Sequence, residues 1–116
     1  MKSTVPVGTG ETVRRRLDAR GLTNVGYVSN PEFLAEGSAV RDFMNPDRIV
    51  VGSFEPEDAE RVVGLHHGIE SEVVRTDVPS AELVKLAANA FLSTRISFIN
   101  EIANVCDLVG ADVVDV

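Results

Sequence analysis

The segment from Ala81 to Val109 contains neither proline nor glycine, and no other feature of the sequence constrains the fold as strongly. Apolar residues recur along it at the spacing of one helix face, at Leu83, Leu86, Ala87, Ala90, Phe91, Phe98, Ile99, Ile102, Ala103 and Val109. The pattern predicts one helix that ends at Gly110. Such a helix spans roughly 44 Å at about 1.5 Å per residue, longer than a small domain needs. We therefore expect it to join two domains or to pair with a partner chain.

Short apolar segments alternate with helical ones in the preceding part of the chain. The sequence predicts strands at 4–7, 25–28, 48–52 and 72–76, helices at 11–19 and 56–67, and a partly helical segment at 32–44. This alternation is typical of an α/β fold in which helices cover a sheet. We place a domain boundary near Pro79 and Ser80, which gives units of residues 1–79 and 80–116.

Charge and composition exclude several classes of protein. The 116 residues include 11 basic and 18 acidic side chains, for a net charge of −7, and one cysteine. This acidity argues against a nucleic-acid partner, which needs a basic face. One cysteine and two histidines favour neither a disulfide nor a zinc site. Because no apolar run approaches the roughly 20 residues that span a bilayer, we expect a cytoplasmic protein without a membrane or metal partner.

Two pairs of polar residues are candidates for chemistry. Lys85 and Asn89 lie four residues apart on the long predicted helix, so both can stabilise an oxyanion from one face, or simply be solvated. Glu32 and Glu36 would share a face if their segment were helical, and such a pair can exchange protons, although surface acids are common here. Cys106 lies about 31 Å from Lys85 along an unbroken helix, so we do not regard it as a nucleophile.

Four segments, in order, resemble the UDP-glucose 6-dehydrogenase family. They are KSTVPVGT at 2–9, SNPEFLAEG at 29–37, NPDRIVVG at 45–52 and AELVKLAANAFL at 81–92, the last continuing through RISFINE at 95–101. The resemblance implies the C-terminal part of a Rossmann-like NAD-binding domain, followed by a long central helix that starts a dimerisation domain. It also implies a homodimer formed through that helix.

The resemblance further implies an activity. The family oxidises the C6 alcohol of a nucleotide sugar, UDP-glucose, to a carboxylate with two NAD, through an aldehyde and a cysteine thioester that water hydrolyses. By resemblance, Thr4 positions the water, Glu32 is the general acid and base of the hydrolysis, and Lys85 and Asn89 hold the oxyanion. The expected catalytic residues are thus Thr4, Glu32, Lys85 and Asn89.

Binding residues follow from the same resemblance. The cofactor would be bordered by Ser3, Thr4, Val5 and Glu36. The nucleotide sugar would contact Glu32, Phe33, Leu34, Ala35, Glu36, Lys85 and Asn89.

Two motifs of the family do not occur in these 116 residues. Gly8 and Gly10 do not form a G-x-G-x-x-G fingerprint because position 13 is Val, and Cys106 does not lie in the family's glycine-flanked cysteine motif. We therefore expect the chain to be the middle of such an enzyme and inactive by itself. Two alternatives stay open. One is a GDP-mannose or UDP-N-acetylmannosamine 6-dehydrogenase, and the other is a non-catalytic structural or dimerisation module.

Overall fold

The computed structural model describes all residues 1–116 and confirms an α/β fold. The elements in chain order are α1 (Thr9–Asp18), β1 (Val28–Ser29), α2 (Ala39–Met44), β2 (Arg48–Ser53), α3 (Pro56–Gly64), β3 (Glu72–Thr76) and α4 (Val78–Val109). The chain divides into two units, Met1–Leu86 and Ala87–Val116.

The three strands of the first unit form one sheet in the order β1-β2-β3. β2 and β3 are parallel, from Arg48 opposite Glu72 to Gly52 opposite Thr76, whereas β1 runs antiparallel to β2. A parallel pair needs a crossover connection, and α3 supplies it. Because β2 has a neighbour on each side, its residues from Ile49 to Gly52 are all buried. The predicted bounds of β3 are confirmed.

The core of this unit lies between β2 and α3. Ile49, Val51 and Ala59 form its centre, and partly buried apolar side chains surround them at Val28, Val62, Val63, Ile69 and Val73. α3 starts at Pro56, which lacks an N–H at a position where the helix has no acceptor for one. The acidic side chains of Glu57 and Asp58 lie in the first turn and interact favourably with the positive end of the helix dipole. The core therefore holds the central strand against its crossover helix.

The strand predicted at residues 4–7 is wrong, because the extended pairing occurs at Met1. The Met1 amine donates to the Val28 carbonyl at 2.6 Å, and the Asn30 N–H donates to the Met1 carbonyl at 2.8 Å. Pro6 has no N–H to give to a sheet. Its carbonyl instead accepts the N–H and the hydroxyl of Thr9, at 3.2 and 2.6 Å, which turns the chain into α1.

The helical prediction for residues 32–44 holds only for the six residues of α2. Side chains accept the backbone N–H groups of the preceding loop. Glu32 Oε2 accepts from Leu34 at 2.7 Å, and Asp42 Oδ2 accepts from Ala35 at 3.1 Å. Such local bonds compete with the helical ladder, so the chain enters a helix only at Ala39.

Helix α4 begins three residues before its predicted start. Asp77 Oδ1 accepts the N–H of Ser80 at 2.7 Å, and this bond lowers the pKa of the Asp77 carboxyl. Pro79 is tolerated because it lies in the first turn. The boundary proposed near Pro79 and Ser80 falls in this turn and stays a prediction.

The second unit, Ala87–Val116, contains the rest of α4 and a short tail. The helix stops at Gly110, as predicted, where φ is +74° and the N–H of Ala111 donates to the Cys106 carbonyl at 3.0 Å. Side chains from Ala87 to Glu101 are all exposed, whereas Cys106 is buried. No helix of the chain combines the length and apolarity needed to cross a bilayer.

Candidate active site

Lys85 is the centre of the candidate site. It lies two turns into α4 and is only 7% exposed. Its Nζ is 3.6 Å from Glu32 Oε1 and 5.4 Å from the centroid of the Phe33 ring. Burying an ammonium is costly unless a charge or an aromatic face compensates it. The structure thus brings together three of the residues predicted from the sequence.

Glu32 reaches Lys85 because the residues before it are fixed. Ser29, Asn30 and Pro31 are buried at the end of β1, so the chain emerges at Glu32 in a defined direction. One carboxylate oxygen, Oε2, accepts the Leu34 N–H at 2.7 Å, while Oε1 faces the ammonium. The carboxylate is therefore held by its own loop and paired with α4.

Asn30 links a second lysine to the same region. Its Nδ2 donates to the buried Val50 carbonyl at 2.8 Å, and its Oδ1 accepts from Lys2 Nζ at 2.9 Å. Burial lowers the pKa of the Lys2 ammonium, and the Glu32 carboxylate partly offsets that change. Sequence reasoning missed Asn30 and Lys2. An amide directly after a buried strand was the available signal, since such a side chain can bridge the strand to its neighbour.

The remaining predicted residues are mostly at the surface. The exposed ones are Ser3, Thr4, Leu34, Ala35, Glu36 and Asn89, and Val5 is half-buried. Asn89 belongs to the second unit. Glu32 and Glu36 do not share a helix face, because the condition for it is not met: residues 32–38 are not helical. The roles assigned to these residues stay predictions.

Glu82 is a buried acid that sequence reasoning did not single out. It lies three residues before Lys85, is 2% exposed, and accepts the N–H groups of Gly8 and Gly10, each at 2.7 Å. Both N–H groups lie at the start of α1, where backbone amides have no acceptor within the helix. The signal in the sequence was an acid between two apolar residues, Ala81 and Leu83, on the long predicted helix.

The cluster has the groups for charge stabilisation and proton transfer. A buried ammonium stabilises negative charge on a ligand oxygen more strongly than one in water does. A half-buried carboxylate beside it can accept or release a proton. No group of three or more His, Cys, Asp or Glu side chains is placed to hold a metal ion.

The β2-α3-β3 crossover places the chain in the open α/β class, in which ligands bind beyond the strand ends. Residues 1–70 match the NAD binding domain of the UDP-glucose/GDP-mannose dehydrogenase family, and residues 79–116 match the family's central domain. The chain belongs to this family.

Individual relatives agree with this assignment. The chain is 52% identical over 114 residues to UDP-glucose 6-dehydrogenase TuaD of Bacillus subtilis, covering 97% of the chain and 25% of the relative. It is 46% identical over 123 aligned positions to UDP-glucose 6-dehydrogenase of Rattus norvegicus, covering 99% and 25%. The chain thus spans about a quarter of the length of these curated relatives.

Solved structures of the family share the fold. A UDP-glucose dehydrogenase of Pyrobaculum islandicum superposes with a TM-score of 0.87 at 40% identity, covering 97% of this chain and 26% of that one. A GDP-mannose dehydrogenase of Pseudomonas aeruginosa gives 0.92 at 28% identity, covering 98% and 27%.

Proposed function

We propose that the chain is the part of an NAD-dependent UDP-glucose 6-dehydrogenase that supplies an oxyanion site and a general acid and base. The observation that carries the proposal is the buried Lys85 ammonium, 3.6 Å from Glu32 and over the ring of Phe33. The reaction would convert the C6 alcohol of UDP-glucose to a carboxylate with two NAD and one water. The similarity to relatives named UDP-glucose 6-dehydrogenase supports this choice of substrate.

Lys85 would act on the oxygen that becomes negative. An alkoxide forms when the sugar hydroxyl loses its proton, and a tetrahedral oxyanion forms when water attacks a thioester. The ammonium is not within hydrogen-bond distance of Glu32 Oε1, so its N–H groups can turn to such an oxygen. The family resemblance also assigns Asn89 to oxyanion binding, and that role stays a prediction.

Glu32 and Thr4 would handle the water. The Glu32 carboxylate would take a proton from the attacking water and return it to the leaving sulfur, while the exposed hydroxyl of Thr4 would orient that water. The thioester itself is assigned to a cysteine other than Cys106, whose thiol is buried.

Only part of a dinucleotide site fits the residues of this chain. The amides at the start of α1 are already bonded to Glu82 and so cannot also hold a pyrophosphate. Ser3, Thr4 and Glu36 have exposed polar side chains that can border NAD, and Val5 can contact it. When bound, NAD would supply the hydride acceptor.

A segment exchange tests the proposal. The matched segment of the Bacillus subtilis relative is replaced by this chain, and NADH formation with UDP-glucose is followed by absorbance. We expect an active exchange enzyme whose rate falls by about a hundredfold or more in Lys85→Met, since one oxyanion-hole donor is worth that much. Arg20→Met, which removes an exposed charge, is the control. An inactive exchange enzyme, or equal rates for the two variants, contradicts the proposal.

A sibling substrate is the nearest alternative. The likeness to a GDP-mannose dehydrogenase favours testing GDP-mannose, and UDP-N-acetylmannosamine completes the comparison. We expect the exchange enzyme to prefer UDP-glucose, and a higher kcat/KM with another nucleotide sugar would reassign the substrate.

A structural role is the candidate from another class. Apolar side chains are exposed along the second unit, at Phe91, Leu92, Ile96, Phe98, Ile99, Val105, Leu108 and Val109. Exposed apolar surface of this kind favours association, so we propose a homodimer formed through α4. Sedimentation of the purified 116-residue chain should show a dimer without NADH formation. A monomer at all concentrations contradicts the proposed dimer.

A further inference from the structure

We propose that Glu82 is a positioning residue that ties the segment from Thr4 to Gly10 to helix α4, one turn before Lys85. Its carboxylate accepts the N–H of Gly8 through Oε2 and that of Gly10 through Oε1, both at 2.7 Å. These bonds join residues more than 70 positions apart in sequence. The catalytic consequence rests on the function proposed above, whereas the tether itself does not.

A carboxylate is the group that suits this position. The two amides are orphan donors at a helix start and carry its positive partial charge. A carboxylate offers one acceptor oxygen to each amide and compensates its own burial through two charge-assisted bonds. A glutamine amide of the same shape has one acceptor and would face the other N–H with a donor.

The backbone around Gly8 and Gly10 is shaped to meet Glu82. Gly8 has φ of +93°, a left-handed conformation that favours glycine, and this lets two nearby amides face one side chain. A Cβ on Gly10 would lie 2.4 Å from Val78 Cγ1 and 2.6 Å from Tyr27 Cε1. The start of α1 is therefore packed directly against the first turn of α4.

The tether fixes one proposed site residue relative to another. Glu82 and Lys85 lie three apart on α4 and so share a face. On the other side, Thr4 precedes Gly8 by four residues, and the bonds from Thr9 to the Pro6 carbonyl close the turn between them. Bonds of Met1 and Lys2 hold the segment before Thr4, and Glu82 holds the segment after it, so Glu82 helps to set where Thr4 lies relative to Lys85. Its own carboxylate is occupied by backbone amides.

The tether is tested by amide NMR on the 116-residue chain. In Glu82→Gln we expect hydrogen exchange at Gly8 and Gly10 to speed up by about tenfold or more and the Thr4 resonance to shift. Amides of Ile49, Val50 and Val51 should stay unchanged and report an intact sheet. Glu101→Gln, an exposed acid on the same helix, is the matched control. Equal spectra at Gly8, Gly10 and Thr4 in the two variants overturn the tether.

A second measurement covers the case in which Glu82→Gln does not fold. In the unsubstituted chain, nuclear Overhauser contacts should join the amide protons of Gly8 and Gly10 to the side-chain protons of Glu82. The absence of these contacts overturns the tether.

The catalytic consequence is read in the segment-exchange enzyme. Displacing a positioned group by about 1 Å costs on the order of a hundredfold, so we expect Glu82→Gln to lower kcat per folded enzyme by about tenfold to a hundredfold, with KM within about threefold. Glu82→Asp keeps the charge but shortens the side chain, so its kcat should lie between those of Glu82→Gln and the unsubstituted exchange enzyme. Unchanged kcat per folded enzyme overturns positioning. An inactive unsubstituted exchange enzyme instead refutes the proposed function, and the NMR result still decides the tether.

Discussion

Removing one hydroxyl group should stabilise the first unit. Tyr27 is 7% exposed, and its hydroxyl has no hydrogen-bond partner among the atoms of the chain. Burying an unpaired hydroxyl costs about 1–3 kcal/mol in mutational data. Tyr27→Phe removes that cost and keeps the ring, which packs 6.2 Å from the ring of Phe54. We therefore expect the free energy of unfolding to rise by about 1–2 kcal/mol at neutral pH.

The same hydroxyl predicts how stability depends on pH. Burial raises the pKa of Tyr27 above 10.0, and the negative charge of Glu82 raises it further. Above pH 10 the unfolded chain therefore releases a proton that the folded chain keeps, so stability falls as the pH rises toward the folded pKa. Tyr27→Phe lacks this titration, and its advantage over the unsubstituted chain should grow above pH 10.

Urea unfolding followed by circular dichroism measures the change in unfolding free energy. Tyrosinate absorbance measures the pKa of Tyr27 directly, because Tyr27 is the one tyrosine. Ser71→Ala is the control, since its hydroxyl donates to the Pro46 carbonyl at 2.9 Å. Removing that satisfied hydroxyl should cost about 0.5–1.5 kcal/mol. A Tyr27→Phe chain that is no more stable than the original, or a Tyr27 that titrates near pH 10, would refute the reasoning.

Three further outcomes are expected in the 116-residue chain. Val51→Ala should cost about 2–3 kcal/mol in urea unfolding because Val51 is 0% exposed, whereas Val40→Ala, at an 80% exposed site, should change stability by less than about 0.5 kcal/mol. Gly10→Ala should cost at least about 1–3 kcal/mol, measured in the same way, because its Cβ would overlap Val78. Hydrogen bonds from Ser38 and Ala35 lower the pKa of Asp42 in the folded chain. The stability that these bonds give is therefore present above about pH 3.8 and is lost as the pH falls through the lower pKa of the folded state. Asp42→Asn should make stability depend less on pH in this acidic range, and an unchanged dependence would contradict the prediction.

Strong periodicity made the long elements predictable. The β3 strand and the end of α4 at Gly110 lie where the sequence places them, because apolar spacing and a terminal glycine act locally. Each of these features is decided by residues close together in the chain.

The elements that were predicted wrongly are decided by particular hydrogen bonds. The loop at 32–38 is kept out of a helix by side-chain acceptors on Glu32 and Asp42, and composition does not show which amides those oxygens meet. Residues 4–7 include Pro6, which has no N–H to donate to a sheet, and the extended pairing occurs at Met1 instead. Glu82 escaped notice because its partners at Gly8 and Gly10 are more than 70 residues away. Contacts of this range carry no periodic signal.

The net negative charge of the chain does not describe the charges at the candidate site. The sequence has a charge of −7 and two lysines, Lys2 and Lys85. The Lys85 ammonium is 3.6 Å from Glu32 Oε1, and the Glu32 charge also acts on the pKa of Lys2. The cations of this region thus lie among groups of the chain itself, with Lys85 beside the Glu32 carboxylate and Lys2 bonded to Asn30. Because salt screens distant surface acids more than groups in contact, the charges next to Lys85, and not the net charge, decide whether an anion can bind there.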